Sequence, residues 1–361
     1  MNIAPLNNWF NNSGKTALIA GPCGAESYQQ LSNTLTDLTK NNIRPGFFRA
    51  GVWKPRTRPN SFEGKGEEAL KWLQELKSEH QIKTIVEVAT SEHAELALKY
   101  GVDALWIGAR TTGNPFSVQE IADVLKKVTV PVLIKNPIHA DLQLWLGAIE
   151  RIANSGITQL AAIHRGFYVY GKTKYRNKPF WQIPIELRTL VPQLPLFCDP
   201  SHIGGSVDLI APISQKALDL GFDGLMIETH FNPAQALSDA QQQVTPFQLN
   251  KILEDLICRQ KTDLNDNDKT KLHELRNIID DIDEDLLNLL KKRILVIEEI
   301  ANYKKTNHIA IFQLERWQEI IRTRAKLADK LGLNRQHVEK ICQLLHEESI
   351  KHQNSIMNKL S

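Results

Sequence analysis

Over roughly the first 250 residues, short runs of consecutive apolar residues alternate with segments of helical period. Eight β-rich runs follow one another: TALIAGPCG, PGFFRAGVW, KTIVEVAT, ALWIGAR, PVLIKNP, QLAAIHRG, LPLFCDPSH and DGLMIETH. Between most of them lie amphipathic stretches such as GEEALKWLQELKS and SEHAELALKYG. Unbroken apolar strands joined by helical crossovers mean a parallel sheet covered on both faces. Eight such units in about 250 residues predict a closed (β/α)8 TIM barrel. An open doubly wound sheet is the alternative, weakened because no GxGxxG follows the first strand.

The pattern then changes. The stretch QKTDLNDNDKTK, residues 260–271, is almost devoid of apolar residues and reads as a linker or helix start, with Thr270 or Asp268 as the cap. Beyond it Leu272, Leu275, Ile279, Ile282, Leu286 and Leu289 fall three and four apart, and no proline or glycine interrupts the pattern past Ile300. This predicts one helix of about 30 to 35 residues, which needs a partner along its length. A second helix is expected from about Phe312 to Leu331, closed by Gly332, and a third from about Arg335 to Asn358. The expected organisation is a barrel over 1–259, a linker over 260–270 and a small all-α, three-helix domain over 271–361 that assembles as an oligomeric bundle, a homodimer at least.

A length of 361 residues suits one large domain plus a small one. The net charge of +3 gives no reason to expect nucleic acid or a membrane surface as partner. Cys23, Cys198, Cys258 and Cys342 are far apart and do not read as a disulfide framework. No leader pattern and no apolar run of transmembrane length occurs, so a soluble cytoplasmic protein is expected.

Each strand candidate ends in a residue with chemical potential: Cys23, Arg49, Glu87, Arg110, Lys135, Arg165, Asp199 with His202, and Glu228 with His230. Barrel enzymes build their sites at this end. A whole ring of charge there costs desolvation unless it is paired or used. Arg49, Lys54, Arg56, Arg110, Lys135 and Arg165 together imply one or two substrates with several anionic groups. Cys23, His202, Glu228 and Asp239 make a mixed-ligand set for a divalent ion; Mn, Fe, Co and Zn all remain open. A lone buried cysteine is more often core, but glycine and proline place Cys23 on a strand-end turn. In the helical segment Arg293 and Lys304 are 11 residues apart and share a face, whereas Arg276 lies about 100° away. One straight helix cannot bring all three to one ligand, although two helices crossing in a dimer can. The plainer reading is snorkelling surface cations.

The strings GPCGAES, AGVWKPRTRPNSFEG, IGAR, LIKNP, IHRG, DPSH and ETHFNPAQALSDAQQQ resemble 3-deoxy-D-arabino-heptulosonate 7-phosphate (DAHP) synthases of the Iβ type over about residues 10 to 255. The resemblance implies condensation of phosphoenolpyruvate with erythrose 4-phosphate. It implies that Cys23, His202, Glu228 and Asp239 bind a divalent metal that polarises the aldehyde. Arg110, Lys135 and Arg165, helped by Arg49 and Lys54, would hold phosphoenolpyruvate. Arg56 and Thr57 of KPRT would serve erythrose 4-phosphate, and Lys54 would protonate the aldehyde oxygen. Some relatives carry a ferredoxin-like regulatory domain before the barrel. Only about 15 residues precede the first strand here, so feedback control is expected to lie elsewhere.

The later strings LHELRNIIDDIDEDLLNLLKKRILVIEEIANYK, LERW and LLHEESIKHQ resemble the all-helical chorismate mutases over about residues 268 to 358. The resemblance implies that Arg293 and a partner subunit's Arg276 bind the carboxylates of chorismate. Lys304 and Gln353 would donate to the ether oxygen, and Arg316 and Ser349 would complete the carboxylate region. Chorismate would rearrange to prephenate without nucleophile or metal. Gln313 stands where an acidic residue often meets the hydroxyl, and Trp317 where a glutamate is usual. The expectation is therefore a bifunctional enzyme of the aromatic (shikimate) pathway. The alternative is a single-activity synthase whose helical domain binds chorismate or prephenate as a regulatory and dimerisation module. A third reading, a related synthase taking arabinose 5-phosphate, is disfavoured by KPRT.

Overall fold

The computed structural model describes residues 1–11, 16–54, 61–126, 128–171, 173–258 and 266–358, with backbone alone for 266–270. The chain divides into two compact units, Met1–Lys261 and Thr262–Ser361.

In the first unit eight strands close into a barrel: β1 (Ala17–Gly21), β2 (Phe47–Ala50), β3 (Thr84–Val88), β4 (Ala104–Ile107), β5 (Val132–Lys135), β6 (Leu160–His164), β7 (Leu196–Cys198) and β8 (Gly224–Glu228). All neighbours are parallel, and β8 pairs back onto β1 with Gly21 opposite Glu228. The eight apolar runs are these eight strands, and closure rules out the open sheet. The helices of this unit are α1 (Tyr28–Lys40), α2 (Glu67–His80), α3 (Ser91–Lys99), α4 (Ala109–Thr112), α5 (Pro115–Val124), α6 (Leu142–Asn154), α7 (Gln182–Leu190), α8 (Pro200–Gly204), α9 (Ile210–Asp219) and α10 (Pro246–Asp255). Polar side chains cap several where the chain leaves a strand: Thr90 accepts from His93 N, Asp141 from Leu144 N, and Thr245 forms a capping box with Gln248.

Strand alternation separates two cores. One set of residues, Leu18, Ala20, Phe48, Ala50, Val86 and Leu105 among them, packs outward against helix residues such as Leu31, Leu70 and Trp145. The other set fills the barrel: Ala17, Ile19, Phe47, Ile85, Ala104, Trp106, Leu133, Ala161, Ile163, Phe197 and Met226, joined by Trp9 and Phe10. Two positions further along their strands, on the same inward side, come Arg49, Glu87, Lys135, Asp199 and Glu228. The apolar plug thus forms the floor beneath the charged layer.

The second unit holds α11 (Asp266–Thr306), α12 (Leu314–Lys330) and α13 (Arg335–Met357). At 41 residues α11 is longer than the expected 30 to 35 and starts before Lys271. No proline or glycine stands in the polar stretch to stop helix propagation. The caps proposed at Thr270 and Asp268 lie outside the described side chains. Gly332 takes the left-handed conformation (φ +68°) just after α12, as expected of a helix-closing glycine. The buried face of this unit is small: Ile297, Ala301, Lys304, Ala325, Ala328, Ser349 and Gln353. Along the first half of α11, Leu275, Ile278, Ile279, Ile282, Leu286 and Leu289 are each about half exposed or more. No described helix is long and apolar enough to cross a membrane.

Gly21 ends β1 at φ +148°, and a Cβ there would lie 2.1 Å from the carbonyl oxygen of Arg49. Gly21→Ala is expected to destabilise the barrel by about 3 kcal/mol or more, through strain and steric overlap that backbone cannot relieve. Urea unfolding of the purified variant measures this; an unchanged midpoint would contradict the account.

Candidate active sites

At the C-terminal mouth of the barrel the charges are paired. Arg49 (1% exposed) donates from Nη2 to Glu228 Oε1 at 2.9 Å, and Glu228 is fully buried. Lys135 Nζ donates to Asp199 Oδ2 at 2.8 Å. Trp106 supplies a π face to both cations, 5.1 Å from Arg49 and 5.7 Å from Lys135, and its indole N–H donates to Glu87. Burial pushes the Glu228 carboxyl up, but His202, Arg49 and Lys54 pull it down to about 2; the direction rests on Arg49 and Lys54, whose charges are permanent.

Cys23 sits two residues past β1. Burial, reinforced by Glu228, pushes its thiol up to about 12. Lys54 Nζ lies 2.9 Å from both its sulfur and its carbonyl oxygen. Burial lowers the Lys54 pKa, but Cys23, Glu228 and Glu87 outweigh this and raise it, so the ammonium is charged. Asp239, left-handed at φ +49°, accepts from Cys23 Sγ at 3.3 Å and from Arg176 Nη1 at 3.0 Å. His202 Nδ1 lies 2.8 Å from Asp199 Oδ2 without hydrogen-bond alignment, and its Nε2 is 3.8 Å from Glu228 Oε1. The four metal-ligand candidates thus stand as two pairs, Cys23 with Asp239 and His202 with Glu228. Among the described residues no three or more His, Cys, Asp or Glu groups close into a metal cluster. Their donor chemistry nevertheless fits a borderline divalent ion, which would have to displace the thiol proton on entering.

Arg165 follows β6. Its Nη1 donates to Asn177 Oδ1 at 2.8 Å, and its backbone N–H donates to Asn136. Burial first, then Arg176 and Arg110, lower its pKa to about 10 against the pull of Asp199. Like charges gathered so closely await an anion. Arg110 lies exposed in α4 within this group. Arg56 and Thr57 fall outside the described residues.

Sequence reasoning passed over Arg176, Asn177 and Gln242. Gln242 donates to Glu228 Oε2 at 2.6 Å and accepts from Arg176 Nη1 at 2.5 Å, linking two of the ligand candidates. The YRN string holding Arg176 and Asn177, and the middle glutamine of QQQ, were visible signals, but they lie in loops without periodicity. Arg176, Asp239 and Gln242 line a cavity of about 650 Å³ with Lys174, Tyr175 and Gly204.

In the helical unit Lys304 is buried and donates to the carbonyl of Ile311 at 2.6 Å. Burial lowers the pKa of Lys304 and of half-buried Arg293. Ser349 and Gln353 are buried on α13, with Gln353 Oε1 lacking a hydrogen-bond partner among the described residues. Gln313 caps α12 from an exposed position without a side-chain cap bond, and exposed Arg316 pairs with Glu319 at 2.6 Å. Arg276 is exposed on α11, about 25 Å along the helix from Arg293. The structure therefore groups Arg293 and Lys304 with α13 and leaves Arg276 apart.

A closed parallel barrel with paired cations, carboxylates, a thiol and an imidazole at its C-terminal mouth defines a barrel enzyme for anionic substrates. Residues 7–263 match the DAHP synthetase I family, and residues 275–354 match chorismate mutase type II. The chain belongs to the DAHP synthetase I family and carries a chorismate mutase domain after the barrel. It is 33% identical to the phospho-2-dehydro-3-deoxyheptonate aldolase of Thermotoga maritima over 241 residues, covering 67% of this chain and 68% of the relative. It is 28% identical to a 2-dehydro-3-deoxyphosphooctonate aldolase of Campylobacter jejuni, covering 67% of this chain and 96% of the relative. Among solved structures, the Thermotoga maritima DAHP synthase superimposes with a TM-score of 0.58 at 29% identity, covering 67% of this chain and 68% of that one. A truncated form of the synthase from the same organism gives 0.57 at 27%, covering 67% and 85%. The presence of both domains favours the bifunctional enzyme over a single-activity synthase, and the synthase family is generally metal-dependent.

Arg49→Met would leave the Glu228 carboxylate buried without its closest cation, at a cost of about 3–5 kcal/mol. Because Glu228 is held at about 2, below its ordinary 4.5, its contribution is full above pH 4.5 and is lost as pH falls towards 2. In the variant that loss is expected at higher pH. Urea titrations of both proteins between pH 3 and 7 test this; parallel acid limbs would contradict the pairing.

Proposed function

We propose that the barrel condenses phosphoenolpyruvate with erythrose 4-phosphate, consuming one water, to DAHP and phosphate, and that the helical domain rearranges chorismate to prephenate. The carrying observation is the convergence of Arg165, Arg176, Arg110 and Lys135 on the barrel mouth beside the Cys23–Asp239 and His202–Glu228 pairs. Arg110, Lys135 and Arg165 hold phosphoenolpyruvate, with Arg49 fixing Glu228 beneath it. Arg56 and Thr57 serve the phosphate end of the aldehyde. A divalent ion held by Cys23, His202, Glu228 and Asp239, whether Mn, Fe, Co or Zn, supplies Lewis acidity for the aldehyde. Lys54, charged and beside Cys23, delivers a proton to the aldehyde oxygen as C3 of phosphoenolpyruvate bonds to the aldehyde carbon; water then adds at C2, giving up a proton, and phosphate leaves from C2. The fixed cations offset the charge that develops there.

In the helical domain Arg293 meets one carboxylate of chorismate, while Lys304 and Gln353 donate to the ether oxygen as its bond breaks. Arg316 and Ser349 complete the carboxylate end, and Gln313 contacts the substrate hydroxyl. The partner subunit's Arg276 meets the second carboxylate, so the domain acts as a homodimer. The exposed apolar half of α11 supports this pairing. Chorismate or prephenate bound there also regulates the barrel. The enzyme works in the cytoplasm, without nucleic acid or membrane.

A chelator is expected to abolish DAHP formation and leave prephenate formation intact. Full synthase activity in a protein shown to be metal-free would end the metal assignment. Arabinose 5-phosphate in place of erythrose 4-phosphate should give little product; equal turnover would favour an octulosonate synthase. Arg276→Ala and Lys304→Ala should each lose mutase activity, while mixed, re-associated subunits recover roughly a quarter through one intact site per heterodimer. Absence of recovery with heterodimers present would overturn the shared site.

A further inference from the structure

The helical domain holds a histidine that none of the roles above uses. His346 lies three residues before Ser349 and seven before Gln353, so all three share a face of α13. Its ring is stacked on Trp317 of α12, with centroids 4.2 Å apart and planes 19° apart. Phe312 packs edge-on at 5.9 Å. Its Nε2 is buried and has no hydrogen-bond partner among the described residues; the same is true of Gln353 Oε1. Two unmet polar atoms on one face of one helix are unusual, because each costs an unmade hydrogen bond unless a ligand or water completes it.

We propose that His346 is a substrate-binding residue of the mutase site, its Nε2 accepting the proton of the ring hydroxyl that Gln313 also contacts. The assignment rests on the mutase reading given above. The substrate is a dicarboxylate with one ring hydroxyl. Arginine and lysine donate only, so Arg293 and Lys304 suit the carboxylates and the ether oxygen but cannot accept the hydroxyl proton. A neutral imidazole can, with its proton on Nδ1. Burial lowers the His346 pKa, Arg293 and Lys304 of α11 lower it further, and Glu347 on its own helix opposes them. The faces supplied by Trp317 and Phe312 are uncharged. The ring is therefore neutral through the physiological range, and the acceptor is lost only below the ordinary histidine value. Trp317 is then the platform that fixes this acceptor.

The test uses the full chain and the mutase reaction. His346→Phe keeps the stack and removes the acceptor; kcat/KM for chorismate should fall about ten- to a hundred-fold, chiefly through KM. His346→Gln should recover most of the loss. On a chorismate analogue lacking the ring hydroxyl, wild type and His346→Phe should be equal. The acid limb of the wild-type kcat/KM profile should disappear in His346→Gln. Should His346→Phe not fold, His346→Leu carries the same comparison. An equal loss on both substrates would mean that the residue only supports the fold, and would overturn the assignment. So would wild-type kinetics in His346→Phe when Lys304→Ala, made separately, abolishes turnover. If Lys304→Ala also left the mutase intact, the site reading itself would fall, and this assignment with it.

Discussion

The barrel is constrained above all by the charge buried at its mouth. Arg49, Lys135, Asp199 and Glu228 sit almost or wholly out of water. An isolated charge in such a place would cost several kcal/mol. Only reciprocal pairing makes the arrangement tolerable, and pairing needs strands in fixed register. Glu228 faces Gly21 across the β1–β8 seam, and Gly21 has no side chain to come between the backbones of β1 and β2. Trp106 then serves both cations from the interior with its π face, and its indole N–H holds the third carboxylate of the layer, Glu87. The apolar plug below makes the site dry, and dryness makes the charges strong enough to hold anionic substrates.

The helical domain solves the same problem differently. It has no floor, and its described core is a few small side chains around buried Lys304, Ser349 and Gln353. Polar groups there are carried on helices, Lys304 on α11 and Ser349 and Gln353 on α13, instead of ending strands. Arg276 is too distant along α11 to join them within one chain, and the apolar residues around it are uncovered. In the proposed homodimer, a second copy covering Leu275, Ile279 and Ile282 would bring another α11, and with it another Arg276.

The barrel was legible because its signals are periodic. Strand runs, crossover helices and charged strand ends recur eight times, so a loss of any one would not have hidden the fold. Arg49, Lys135, Asp199 and Glu228 were readable because alternation puts them two positions beyond core residues. Arg176 and Gln242 were not, since their positions depend on how the β6–α7 and β8–α10 loops fold over the mouth. The full length of α11 is hidden in the sequence because its polar start has the composition of a linker, although it contains nothing that stops a helix. The pairing of Cys23 with Asp239 and of His202 with Glu228 also lay beyond sequence, which indicates residue types but not which two atoms approach.

Trp317 illustrates how a departure in sequence acquires meaning only in three dimensions. Read along the chain it is a lost acceptor. In the fold its indole lies flat against His346, and a flat stack holds an imidazole by its faces, leaving the ring nitrogens at the edge to bond elsewhere. A carboxylate at position 317 would place a permanent negative charge beside His346 and raise its pKa. An indole there does neither. The exchange therefore favours a neutral acceptor beside two cations, which leaves both cations available for the substrate's own negative charge.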